Sequence, residues 1–118
     1  KNYYCDVLDK LNIYYVSKDE SHIDAFSING NCIFCDMLLV KKFELSTIEC
    51  YACIAHEVGH FIFPSKDDLS NKNQREIYAD QYVKKLGLAD SLISALNKMC
   101  PNDELTKLRI ENMSNAPS

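Results

Sequence analysis

The most constraining feature of this sequence is the stretch CIAHEVGHFIF, which runs from Cys53 to Phe63 and sets three polar side chains in an apolar run. The apolar run predicts a helix in the protein core. His56, Glu57 and His60 would then be buried, and burying such groups without partners is costly. We therefore expect either that these residues lie at a solvent-facing helix margin or that the helix is built around a metal ion.

The spacing of the two histidines favours the metal ion. His56 and His60 are four residues apart, so on a helix they lie on one face, one turn apart, and both imidazoles can bind one tetrahedral ion. Zn²⁺ binds imidazole nitrogens at about 2.0–2.1 Å, and a catalytic zinc keeps one position open for water. Glu57 follows the first histidine, where its carboxylate can reach that water. The pattern His-Glu-x-x-His thus predicts two zinc ligands and a general base.

A catalytic zinc takes a third protein ligand, and the segment REIYAD offers two carboxylates on one helical face. We assign Glu76 as the third ligand. Asp80 would accept the N–H of a zinc-bound histidine and so fix its tautomer. The reverse assignment stays open, and Asp67 and Asp68 in the preceding loop are weaker candidates. The remaining histidine, His22, lies in a polar segment and is expected to be exposed.

Three further residues lie close to the predicted ligands. Gly59 stands inside the helix, where glycine costs about 1 kcal/mol relative to alanine. Its missing side chain would let a strand or substrate approach closely, or would allow helix–helix packing. Tyr78 and Tyr82 lie on the helix of the third ligand and are candidate donors to the oxyanion of a hydrolytic reaction, although each also fits a packing role.

The six cysteines raise a competing metal site. Cys32-x-x-Cys35 and Cys50-x-x-Cys53 resemble the spacing of a zinc ribbon. However, positions three apart in a strand point to opposite faces, and neither pair encloses a glycine or proline that would make a tight turn. We therefore expect reduced thiols among apolar residues, which is typical of a cytoplasmic protein.

The first half of the chain predicts a small sheet in an α+β fold. An apolar stripe indicates a short helix at 3–12. Three strands are expected at 13–16, 23–28 and 32–40, and an NGN turn joins the last two. This pattern predicts a small antiparallel sheet that packs against the helix of His56 and further helices. The length of 118 residues favours one domain spanning 1–118.

The second half predicts a series of helices. Ser46 and Glu49 form a Ser-x-x-Glu capping box that starts the helix of the two histidines. A second helix at 74–86 is expected to end at Gly87, because glycine is favoured at helix C-termini. Asp90 would be the N-cap of the helix that follows. The remaining segments are a third helix, a last amphipathic stretch and a frayed tail, at 91–99, 103–113 and 113–118.

The overall composition argues against a nucleic-acid-binding protein and against a membrane-spanning protein. Hydrophobic residues make up 47% of the chain and charged residues 25%, which is ordinary for a globular protein. The net charge is −4 and there is no basic cluster, so we expect no direct binding to nucleic acid. No apolar run of about 18 residues is present, so the sequence predicts no membrane span.

The stretches AHEVGHFIF and EIYADQYV together resemble the ImmA/IrrE family of zinc metallopeptidases. These proteins typically show Ala-His-Glu-φ-Gly-His, with φ apolar, and a downstream Glu-x-x-Ala-Asn helix. The likeness covers 55–63 and 76–83 and is weak over the first 25 residues and the C-terminal third. It implies a minimal zincin-like domain holding one Zn²⁺, with His56, His60 and Glu76 as ligands and Glu57 as base. Asp80 stands where the family often has asparagine.

The resemblance also implies a biological role. Family members are often encoded by phages and mobile elements, where they cleave a helix-turn-helix repressor. The expected function is therefore a cytoplasmic zinc endopeptidase whose protein substrate is a transcriptional repressor. The alternative is a zinc-binding regulatory module that binds a repressor with little or no proteolytic turnover.

Overall fold

The computed structural model describes residues 11–16, 25–29, 31–62 and 72–115, and it has the α+β class that the sequence predicts. Most of the helix expected at 3–12 lies outside these residues, as do His22, Asp67 and Asp68. The described elements are three strands and five helices: β1 (Asn12–Val16), β2 (Phe26–Asn29), β3 (Cys32–Asp36), α1 (Met37–Lys42), α2 (Thr47–Ile62), α3 (Lys72–Lys85), α4 (Ala89–Met99) and α5 (Glu104–Asn115). No helix within these ranges is long and apolar enough to cross a membrane.

The sheet is mixed, so the prediction of an antiparallel sheet is wrong in part. The strand order is β1-β3-β2, and β2 pairs with β3 in the expected antiparallel hairpin. β1 pairs with β3 in parallel, with Asn12 opposite Cys32. Parallel strands need a crossover connection, and here β2 lies between β1 and β3 along the chain. β3 is therefore the central strand, and its side chains Ile33 and Cys35 are buried.

The last strand is shorter than the sequence predicts. It ends at Asp36, and residues 37–42 form helix α1 instead of continuing the strand to residue 40. The Asp36 carboxylate accepts hydrogen bonds from the backbone N–H groups of Leu38 and Leu39, at 3.1 and 3.4 Å. Asp36 is thus the N-cap of α1, and this local hydrogen bonding outweighs the strand tendency of the apolar run CIFCDMLLV.

Helix α2 is the central element of the helical layer. It starts with the predicted capping box: Ser46 N–H donates to Glu49 Oε1 at 2.8 Å, and Glu49 N–H donates to Ser46 Oγ at 3.2 Å. The helix packs against α3, α4, β2 and β3, and its residues are buried on most sides. The two histidines are therefore carried by the most enclosed helix of the described protein.

The three later helices follow the prediction with two changes. Gly87 ends α3 as expected: its φ is 79°, and the N–H of Leu88 donates to the carbonyl of Val83 at 3.1 Å, as in a Schellman motif. α4 starts at Ala89, so Asp90 lies in its first turn and is not the predicted cap. α5 continues to Asn115 and Met113 is only 3% exposed, so the tail boundary predicted at residue 113 is wrong.

The capping residue Glu49 also ties α2 to α4. Its side chain is 4% exposed and accepts hydrogen bonds from Lys98 Nζ at 2.7 Å and from Ser94 Oγ. Burial opposes ionisation of this carboxyl group, but the hydrogen bonds from Lys98, Ser46 and Ser94 outweigh burial and lower the pKa of Glu49 to about 2. The ionised carboxylate therefore stabilises the folded state.

Replacing Glu49 with glutamine is expected to lower the free energy of unfolding near neutral pH by about 2 kcal/mol, because a buried charge-assisted network is lost. The folded pKa of Glu49 lies below its unfolded value, so this contribution is present above about pH 4.5 and is lost as the pH falls towards about 2. Denaturant unfolding of wild type and variant between about pH 6 and about pH 2.5 should show the difference shrinking. The exposed Glu111→Gln variant is the control, and a difference that stays constant with pH would contradict the assignment.

Candidate metal centre

The candidate site lies where α2 and α3 approach each other most closely. A Cβ atom on Gly59 would lie 2.9 Å from the carbonyl oxygen of Ala79 and 3.1 Å from its Cα, which is closer than side chains normally come to backbone. Glycine is therefore needed for helix–helix packing, which was one of the two roles predicted for it. Because the two helices lie so close together, side chains of α2 can contact side chains of α3 across the interface.

Three predicted ligands converge at this interface. His56 Nε2 lies 3.2 Å from His60 Nε2 and 2.7 Å from Glu76 Oε1, and His60 Nε2 lies 3.5 Å from Glu76 Oε2. The possible ligand atoms of all three residues lie within 4.8 Å of one another. His56, His60 and Glu76 could hold a metal ion.

The geometry of this group fits a small tetrahedral ion. Ligand atoms at about 2.0–2.1 Å from a tetrahedral ion lie about 3.3 Å apart. The separations from His60 Nε2 to the other two ligands, 3.2 and 3.5 Å, are close to this value. The contact between His56 and Glu76 is shorter, so these two side chains would move apart by about half an ångström around an ion.

Asp80 lies on the other side of the His56 ring. Its Oδ1 is 2.8 Å from His56 Nδ1, and Asp80 is completely buried, with 0% exposure. A nitrogen and a carboxylate oxygen at this distance need a proton between them, so Nδ1–H donates to Asp80. Nε2 lies 2.7 Å from Glu76 Oε1 and likewise shares a proton with it, and an ion that replaces this proton would receive the Nε2 lone pair. Asp80 thus lies beside His56 Nδ1, and Glu76 belongs with the two histidines to the group that could hold a metal ion.

Arg109 of α5 is a member of the site that the sequence reasoning missed. Its Nε and Nη2 donate to Asp80 Oδ2 and Oδ1 at 2.7 and 2.8 Å, and Nη1 lies 3.8 Å from Glu76 Oε1. Its burial is not visible in the sequence, because Thr106, Arg109 and Met113 form the buried face of α5 only once the helices are packed. A lone arginine on the buried face of an amphipathic helix indicates a buried acidic partner.

The electrostatics of the site favour a positive charge between the histidines and the carboxylates. Burial alone would lower the pKa of His56, but hydrogen bonds with Asp80 and Glu76 outweigh it and raise the pKa to about 9. Burial alone would raise the pKa of Glu76, but hydrogen bonds with His56 and His60 hold that pKa well below its usual range. A proton and a metal ion therefore compete for the same place, as expected of metal ligands.

The ligand group opens onto a cavity of about 950 Å³. His56, Glu57, His60 and Glu76 line one part of it, so the predicted base faces the same space as the predicted ligands. Strand β2 also lines the cavity, as do apolar side chains from α4 and the start of α5, namely Leu92, Leu96, Met99 and Leu105. The cavity is large enough to hold a peptide segment beside the ligand group.

The two tyrosines predicted as oxyanion donors do not line this cavity. Tyr78 is 48% exposed, and Tyr82 packs against the hydrophobic core. Tyr78 is two residues from Glu76, and side chains at that spacing on a helix do not face the same side. The donor role predicted for Tyr78 and Tyr82 therefore does not fit their positions.

The cysteines do not form a second metal site among the described residues. Cys32, Cys35, Cys50 and Cys53 are free thiols, and within residues 11–16, 25–29, 31–62 and 72–115 none of them belongs to a cluster of possible metal ligands. Burial raises the pKa of Cys35 to about 11 and that of Cys53 to about 12, which disfavours the thiolate that a metal requires. Cys35 and Cys53 are small side chains of the hydrophobic core, and Cys50 packs against it.

Comparisons of this chain with protein-family models, with curated proteins and with solved structures give no match.

Proposed function

We propose that this protein is a zinc-dependent endopeptidase. The observation that carries the proposal is the convergence of His56 Nε2, His60 Nε2 and a Glu76 carboxylate oxygen within 4.8 Å of one another at a cavity that Glu57 also lines. Two imidazoles and one carboxylate are a ligand set used by catalytic zinc in peptidases. Three protein ligands leave one position of a tetrahedral ion for water, whereas structural zinc sites use four.

Each residue of the site has a role that follows from its position. His56, His60 and Glu76 would bind the ion, which when bound would activate a water molecule and polarise the scissile carbonyl. Glu57 faces the cavity and would accept a proton from the attacking water and pass it to the leaving amine. Asp80 holds the proton on His56 Nδ1, so that the opposite nitrogen keeps its lone pair for the ion.

The shape of the cavity supports an extended peptide as substrate. β2 lies at an edge of the described sheet, since β3 is its partner on one side and β1 lies beyond β3. An extended peptide can add to such an edge through backbone hydrogen bonds. The apolar side chains of α4 and α5 that line the same cavity would contact the side chains of the peptide. On the likeness of AHEVGH and Glu76 to the ImmA/IrrE pattern, we further propose a helix-turn-helix repressor as the substrate protein.

Metal dependence is the first test. After a chelator has removed metal, the protein is expected to cleave no peptides in a proteome digest. One equivalent of Zn²⁺ per chain should restore cleavage. Mass spectrometry detects cleavage as new peptide termini. His56→Ala should bind no stoichiometric zinc and should not recover, because the ion loses a central ligand. The proposal would be contradicted by cleavage that persists in the chelator. It would also be contradicted if zinc-loaded protein cleaved neither the peptide mixture nor the helix-turn-helix repressor encoded nearest its gene.

A further inference from the structure

Arg109 of α5 lies within contact distance of the ligand group, 3.3 Å from His56 Nδ1 and 3.8 Å from Glu76 Oε1. Its guanidinium is buried, with the whole residue 8% exposed, although arginine is rarely buried without a partner. Two of its nitrogens form a fork on the two oxygens of Asp80, at 2.7 and 2.8 Å. Such a bidentate pair fixes the plane and the direction of the carboxylate more strictly than a single hydrogen bond can.

The orientation of Asp80 is passed on to His56. Asp80 Oδ1 accepts hydrogen bonds from both His56 Nδ1 and Arg109 Nη2, each at 2.8 Å. The two donor nitrogens lie 3.3 Å apart, so both are close to the same carboxylate oxygen. Because the carboxylate cannot turn without breaking the fork, the imidazole ring that it holds cannot turn either.

Arg109 also balances the charge of the site. Asp80 has 0% exposure, and an unpaired carboxylate there would be very unfavourable. The Nη1 atom of Arg109 lies 3.8 Å from Glu76 Oε1, so the same guanidinium lies near a second carboxylate. One arginine therefore compensates the fully buried carboxylate and lies beside a proposed ligand without occupying the ligand position.

We propose that Arg109 is a positioning residue of the metal centre, which directs His56 towards the ion through Asp80 and makes zinc affinity depend on the docking of α5. This inference rests on the proposed zinc site. α5 packs against α3 and α4, and its buried residues Thr106, Arg109 and Met113 face them. Binding of the ion and docking of the last helix therefore stabilise each other, because both require the same orientation of Asp80.

Substitution of Arg109 tests the positioning role. Arg109→Met is expected to lower zinc affinity about 10–100-fold, as loss of an outer partner of a metal ligand usually does. Arg109→Lys keeps the charge but cannot form the fork, so its zinc affinity should lie between that of the Arg109→Met variant and that of the wild type. Lys107→Met changes an exposed residue on the same helix and should leave the affinity unchanged. Affinity is measured by competition with a chromophoric chelator, at a temperature where circular dichroism shows each variant folded.

Two measurements separate positioning from a general loss of stability. In the wild-type protein, nuclear magnetic resonance should show the Arg109 Nε–H and the His56 Nδ1–H protected from solvent exchange, and zinc should slow exchange of the α5 backbone amides. These readouts need no variant, so they decide the question even where Arg109→Met does not fold. The inference is overturned if a folded variant at position 109 binds zinc with wild-type affinity. It is also overturned if the Arg109 Nε–H exchanges with solvent as fast as that of an exposed arginine. A wild-type protein that binds no zinc overturns the proposed function instead.

Discussion

Replacing Glu57 with glutamine is expected to reduce peptide hydrolysis about 10²–10⁴-fold while leaving zinc affinity within about a factor of two of wild type. Glutamine has nearly the shape of glutamate but cannot accept a proton at neutral pH. Glu57 lines the cavity beside His56 but is not one of the three converging ligands, so its charge is not needed to bind the ion. Steady-state cleavage of a fluorogenic peptide taken from the best substrate, together with zinc titration, measures both quantities.

The matched control is Glu111→Gln, which makes the same chemical change at an exposed position of α5. It should hydrolyse the peptide at the wild-type rate. Comparing the two variants separates loss of a base from loss of one negative charge anywhere in the protein. An activity of Glu57→Gln within tenfold of wild type would exclude Glu57 as the general base.

The same variant distinguishes an endopeptidase from a regulatory module that only binds a repressor. If the protein acts by cleavage, Glu57→Gln should bind the repressor and leave it intact, and the repressed genes should stay silent. If it acts by binding, the variant should release those genes as well as the wild type does. Release by a variant that has lost its hydrolytic activity would therefore overturn the proposed function.

The parts of the fold that were predicted correctly depend on short-range signals. The capping box of Ser46 and Glu49 and the glycine that ends α3 each involve residues only a few positions apart, so the sequence contains the whole hydrogen-bonding unit. The i, i+4 spacing of His56 and His60 likewise fixes a common helical face. Glu76 was reached differently, from the number of ligands that zinc requires.

The parts that were missed depend on partners far along the chain. The parallel pairing of β1 with β3 is set by which sheet edge β1 can reach, and no local pattern in IYYV encodes that choice. Arg109 is buried because Asp80, on another helix, accepts both of its donors. Viewed only along α5, an arginine between Leu108 and Ile110 is ordinary, and its role appears only once the helices are packed.

Replacing Glu76 with glutamine is expected to lower zinc affinity about 10²–10³-fold, the largest effect expected of any single carboxylate in the site. A fully ligated zinc site is worth about 10–16 kcal/mol, which corresponds to about 2.5–4 kcal/mol for each of four ligands. Glu76 contacts both histidines through its two oxygens, and the neutral amide of glutamine is a poor zinc ligand. Competition titration with a chromophoric chelator measures the affinity.

The comparison with Asp80→Asn decides which carboxylate binds the ion. Asp80 contacts the nitrogen of His56 that is turned away from the other ligands, so its substitution should cost only about 10–100-fold in zinc affinity. It should cost more in stability, because it leaves Arg109 buried beside a neutral group. The two variants should thus separate: Glu76→Gln loses more metal affinity, and Asp80→Asn loses more free energy of unfolding. The opposite order of zinc affinities would make Asp80 the third ligand and Glu76 its support.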